Sequence, residues 1–163
     1  MGAMDKPQPQ KQHQWLARLD GEWTMEGEAM MGPGQPVQKF RGTERTRSLG
    51  GLWFLVEGEG EGPEGGVSTS MMTLGYDPRK ERFVGTYIGS MMTNMWIYEG
   101  TLDADEKVLT LDTEGPSMSG DGTLSKYQDR IEFRSDDERI MTSHAQGADG
   151  TWTQLMTMTL RRK

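Results

Sequence analysis

The sequence predicts an all-β fold, a single antiparallel up-and-down β-barrel of about ten strands with one short N-terminal helix. Three observations predict it. Beyond residue 20 the apolar residues recur at a period of two, the spacing of half-buried strands. Short turns rich in Gly, Pro and Asp separate these runs, and short turns force antiparallel neighbours. The runs follow one another at roughly 12 to 14 residues, and a meander that long closes on itself to remove its two edges. The pattern is clearest in Met71–Gly100, MMTLGYDPRKERFVGTYIGSMMTNMWIYEG. Here Asp77-Pro78-Arg79-Lys80 is a turn in which Asp bonds the backbone ahead and Pro pre-sets φ.

Residues 1–20 read as a tail and capping helix, and residues 21–163 as the barrel. Pro7 and Pro9 precede Gln10–Leu19, where Trp15, Leu16 and Leu19 share a face; Gly21 ends it. One amphipathic helix ahead of many strands is expected to plug a barrel end. Strand one, Gly21–Met31, alternates Trp23, Met25, Ala29 and Met31 with Glu22, Thr24, Glu26 and Glu28. Gly32-Pro33-Gly34-Gln35-Pro36 turns into Val37–Ser48, where Lys39, Arg41, Arg45 and Arg47 share one side. These cations are expected to form a solvated face opposite Glu26 and Glu28 on one neighbour and Glu57 and Glu59 on the other, rather than an anion site.

Leu52–Gly60 is the third strand, and GEGEGPEGG closes it as an acidic loop. Met71–Tyr76, Phe83–Ile88 and Met95–Tyr98 follow, then Val108–Glu114, Thr123–Ser135, Arg139–Gln146 and Thr151–Arg161. In the last strand Trp152, Gln154, Met156, Met158 and Leu160 alternate with threonines, which predicts that the first set faces inward. Both sides of Phe83–Ile88 are apolar. The Tyr87 side is expected inside, because Gly85 between two rings makes room in a curved barrel.

Composition narrows the function. The net charge of −7 argues against nucleic acid and anionic membrane surfaces, which select basic patches. With no Cys there are no disulfides, thiolate nucleophiles or Cys-based metal sites. No apolar run approaches a membrane span, and the N-terminus lacks the apolar core of a signal peptide, so the expected location is cytoplasmic. Five Trp, four Tyr, four Phe and 14 Met supply a core, which argues against disorder.

No catalytic motif stands out: there is no G-x-S-x-G, no P-loop, and no G-x-G-x-x-G after a strand. The acidic GEGEGPEGG has the wrong charge for phosphate, and Glu57, Glu59 and Glu61 on one strand face diverge rather than converge on a cation. The adjacent pairs Met30-Met31, Met71-Met72 and Met91-Met92 point to opposite faces and do not make a soft-metal site. No metal and no cofactor are expected. His13 is expected to be solvated at the helix start. His144 shares parity with Ile140 and Thr142, and is expected inside with Met141 and Ser143 outside.

Eight strands already enclose room for a small ligand, so ten should leave a cavity. Its candidate lining is Trp23, Met25, Tyr87, His144, Trp152, Met156 and Met158. The leading functional reading is a binding protein for a small, largely apolar ligand. The runner-up is an enzyme with His144 as acid or base. The third is a structural protein with a filled barrel, and the composition leaves room for self-association.

Ordered motifs carry a resemblance over nearly the whole chain: H-x-W-L-x-x-L-x-G-E-W-T at His13 to Thr24, L-G-Y-D-P at Leu74 to Pro78, and F-V-G-T-Y-I-G-S-M at Phe83 to Met91. Y-E-G-T-L-D at Tyr98 to Asp103, D-G-T-W at Asp149 to Trp152 and the terminal L-R-R-K complete it. The sequence resembles the DUF1579 family, bacterial proteins of unknown function, in which Trp often stands where this chain has Tyr87. The resemblance implies a calycin-like barrel, related in shape to lipocalins and fatty-acid-binding proteins. It supplies no activity and no catalytic residues.

Overall fold

Alternation and short turns produce ten strands, in a computed structural model that describes residues 5–30, 34–61 and 65–163. After helix α1 (Lys11–Ala17) come β1 (Gly21–Met30), β2 (Val37–Leu49), β3 (Trp53–Glu61), β4 (Val67–Asp77) and β5 (Arg82–Gly89). They are followed by β6 (Trp96–Leu102), β7 (Val108–Pro116), β8 (Leu124–Phe133), β9 (Glu138–Gln146) and β10 (Trp152–Arg162). Each strand pairs antiparallel with the next, and β1 also pairs with β10, from Trp23 opposite Arg162 to Ala29 opposite Met156, so the meander closes into a barrel. Met31, much of the Gly-Pro turn after it and the centre of GEGEGPEGG lie outside the described residues.

The turns obey the expected chemistry. Asp77 Oδ1 accepts the Arg79 amide at 2.9 Å, and Asp103 Oδ1 accepts those of Lys107 and Val108 at 2.8 and 3.1 Å. Gly85 is forced by a close approach: a Cβ there would lie 2.1 Å from the Thr73 carbonyl oxygen. Phe83 and Tyr87, on the Gly85 side, face inward as expected.

The core fills the helix end. Trp23, Phe54, Leu74, Leu109, Leu111 and Leu160 are buried, and Leu16 of α1 and Leu19 in the turn after it close over them. Trp15 packs edge-on against Phe83 and Phe133 and donates its indole N–H to the Glu106 carbonyl at 2.6 Å. A helix of seven residues has little stability of its own, so this packing and its end contacts hold it. Arg162 of β10 donates to the Arg18 carbonyl at 3.0 Å, satisfying an acceptor just past the helix C-terminus. His13 departs from expectation. It is 4% exposed, accepts the Gln10 amide on Nδ1 at 2.9 Å and meets the Tyr76 ring edge-on. Its imidazole closes the helix N-terminus instead of facing water.

The arginine stripe faces outward. Lys39 lies opposite Glu28, Arg41 opposite Glu26, and Arg45 between Glu22 and Glu57, while Arg47 approaches Glu57 at 3.5 Å. Exposed pairs of this kind contribute about 0–1 kcal/mol each. Arg45→Ala is therefore expected to move the urea midpoint barely; a loss of several kcal/mol would show that the stripe carries the fold.

Candidate functional site

The far half of the barrel, away from α1, is hollow. Its cavity has a volume of about 700 Å³ and runs from Leu19 at the floor to Met91, Met92, Asn94 and Met118 at the mouth. Ten strands and the small inward residues Gly58, Gly60, Ser68 and Ser70 leave this space open. Met25, Met72, Tyr87, Trp96, Met156 and Met158 make its walls largely apolar.

Five of the seven sequence-predicted residues face the lumen. Met25, Tyr87, Met156 and Met158 line the cavity; Trp23 points inward but is sealed in the core below it. Trp152 and His144 do not. Along β10, Gln154 pairs with His144 but Met156 pairs with Ser143, so Leu155 is an extra residue in a β-bulge. The bulge breaks the parity of the strand: Met156, Met158 and Leu160 are inside, whereas Gln154 and Trp152 share the outer face with His144 and Gln146. In β9 it is Arg139, Met141 and Ser143 that face inward, opposite Leu160, Met158 and Met156. The expectation that Met141 and Ser143 lie outside is reversed. His144 sits on the barrel exterior, bonded to Thr142 Oγ1 at 2.9 Å, with its pKa lowered by burial and by the Arg130 charge. It cannot serve as an acid or base within the cavity.

The lumen instead contains polar groups that alternation did not single out. Asp129 of β8 accepts the Tyr98 hydroxyl of β6 on Oδ2 and the Ser143 hydroxyl of β9 on Oδ1, the latter at 2.6 Å. It is part-buried and lines the cavity. Burial pushes its carboxyl pKa above the ordinary range, against the lowering effect of the two hydroxyl donors. Burial also raises the hydroxyl pKa of Tyr87 and Tyr98, and the Asp129 charge adds to both. Nearer the floor, Arg139 is 4% exposed and pairs with Glu44 through Nη2. Desolvation raises Glu44 and lowers Arg139, each partly offset by its partner, and the Arg139 guanidinium lies 4.5 Å over the Trp23 ring. Thr46 Oγ1, Thr113 Oγ1 and Arg139 Nη1 are buried without a hydrogen-bond partner.

A sequence signal for two of these exists. Asp129 is the lone charge on the face of β8 that also carries Tyr127, Ile131 and Phe133. Glu44 falls opposite the arginine stripe, hence inside, once that stripe is assigned to solvent. Chemically the site offers an apolar wall, a neutralised ion pair and a carboxyl group with acceptor capacity to spare. Among the described residues no three acidic or imidazole side chains converge on a common point as a metal site would require. Among the described residues no helix is long and apolar enough to cross a membrane.

A family model described as "Protein of unknown function (DUF1579)" matches residues 8–162. The chain belongs to this family. Its match spans α1 and all ten strands. No curated protein matches the chain. Among solved structures, the crystal structure of Rv2717c from M. tuberculosis is similar with a TM-score of 0.66 at 14% identity, covering 96% of this chain and 99% of that one. The structure of EF1p2_mFAP2b bound to DFHBI is similar with a TM-score of 0.50 at 15% identity, covering 93% and 98%. At such identities the likeness speaks for the fold, a barrel.

Proposed function

We propose that this DUF1579 member binds a small, largely apolar ligand in the barrel lumen. The observation that carries the reading is the cavity of about 700 Å³ inside a closed barrel whose helix end is filled by buried apolar side chains. Cavities of 300–1,000 Å³ with apolar walls and a few polar groups are typical of small-molecule sites. A purely structural barrel gains nothing from leaving this volume empty, because filling it would add apolar burial. Support of a weaker kind comes from EF1p2_mFAP2b, a barrel of similar shape that is bound to DFHBI.

Met156 lines the space, so Met156→Trp should fill much of it while preserving the outward faces of β10. Uptake of Nile red, an uncharged dye that brightens in apolar surroundings, is expected in the parent protein and at least tenfold weaker in the variant, with the melting temperature within a few degrees of the parent. Equal dye binding by the two proteins, or none by the parent, would leave the filled structural barrel as the better account.

A further inference from the structure

Granted a lumenal ligand site, on which this reading rests, we infer that its occupant carries an ammonium head group that docks on Asp129 and an apolar body that fills the rest of the cavity. Four observations point this way. First, among the described residues Asp129 has no cationic partner: its two side-chain contacts are neutral hydroxyls, from Tyr98 and Ser143, and they occupy only part of the acceptor capacity of a carboxylate. A buried carboxylate without a counter-charge is unfavourable, and a ligand cation supplies what the fold withholds. Second, the one lumenal cation near the floor, Arg139, is neutralised by Glu44 and does not oppose a positive head group.

Third, Thr113 lies one inward position along β7 from Leu111, which pairs with Asp129. Its side chain borders the cavity, and its hydroxyl oxygen, itself shielded from solvent, has no hydrogen-bond partner. An ammonium group has three N–H donors, so it can reach a carboxylate and a neighbouring hydroxyl together. Fourth, Tyr87, Tyr98 and Trp96 also line the cavity, and aromatic faces attract organic cations more strongly than neutral groups. An anionic ligand would meet Asp129 and Glu44 inside, where Arg139 is already paired, while Arg41 borders the cavity beside Glu59 and Glu61. The unpartnered Arg139 Nη1 is the feature that favours that opposite choice, so the test must include a carboxylate.

The test is a matched series of decylammonium, decanol and decanoate, titrated calorimetrically against the full chain at pH 7.5. Decylammonium is expected to bind at least tenfold more tightly than either of the others. Asp129→Asn should bring decylammonium down to the level of decanol and leave decanol within about twofold. The unmodified protein provides a check independent of that variant. The groups facing Asp129 are Tyr98, Tyr87 and Ser143, with the Glu44 and Arg139 pair below. Of these the carboxyl of Asp129 is the one placed to take up a proton on acidification without breaking an ion pair. Decylammonium affinity should therefore fall between pH 8 and pH 4 while decanol affinity stays level. Tightest binding of decanoate, an ammonium preference that survives Asp129→Asn, or a flat pH profile would each overturn the inference while leaving the lumenal site intact. Failure of all three ligands together with Nile red would remove the site itself.

Discussion

Removal of residues 1–19 is expected to leave a protein that no longer folds cooperatively at 25 °C. Trp15, Leu16 and Leu19 are at most 7% exposed, and burying three such side chains is worth about 1.5–3 kcal/mol each. That sum approaches the whole stability of an ordinary domain, about 5–15 kcal/mol. The loss also uncovers Phe83, Phe133 and Trp23, whose indole N–H donates to the Leu19 carbonyl at 2.9 Å. It deprives the Arg162 guanidinium of the Arg18 carbonyl as well. Circular dichroism and size-exclusion chromatography check this: loss of the unfolding transition or aggregation is expected. An unchanged melting temperature and elution volume would mean that α1 rests on a barrel already closed without it.

Arg139→Met should cost about 3–5 kcal/mol, because it strands the Glu44 carboxylate in a desolvated site. The sign of the pH dependence follows from the direction of the Glu44 shift. Its carboxyl pKa is already raised by burial even beside Arg139, and removing that charge raises it further. A carboxyl whose pKa is higher in the folded than in the unfolded state favours folding below the ordinary carboxylate range, and that contribution is lost as pH rises through the folded value. The variant should therefore be weakest above neutrality and recover towards pH 4. Replacing both partners, Glu44→Met with Arg139→Met, should regain most of the loss at pH 8, since no charge then remains buried. Denaturant titrations at both pH values decide it. A single variant that loses less than about 1 kcal/mol, or a double variant no better than the single, would show that the pair is solvated and of little consequence.

The residues legible in the sequence were those whose surroundings are local. Asp77 and Pro78 make their turn with atoms two residues away, and the alternation of β1 against four acidic or hydroxyl residues left no doubt which side of Trp23 and Met25 is buried. The same logic set the arginine stripe outside. It failed at Trp152 because a single inserted residue, Leu155, inverts every side chain beyond it, and a bulge depends on the partner strand as much as on its own residues. It failed at His144 because the competing face of β9 begins with an arginine, which binary patterning sends to solvent.

By itself, then, the sequence determined the period-two strands, their antiparallel order, the N-terminal helix and the closure of about ten strands into a barrel. All of these follow from hydrophobic alternation and turn chemistry acting over a few residues. The tertiary structure alone decided the polar content of the lumen. Arg139 is tolerable inside only because Glu44 arrives from a strand 95 residues away, and Asp129 is held by hydroxyls from Tyr98 and Ser143 on two further strands. Burial of a charge depends on whether a partner is present in space, and that partner is supplied by closure of the barrel rather than by any neighbour along the chain.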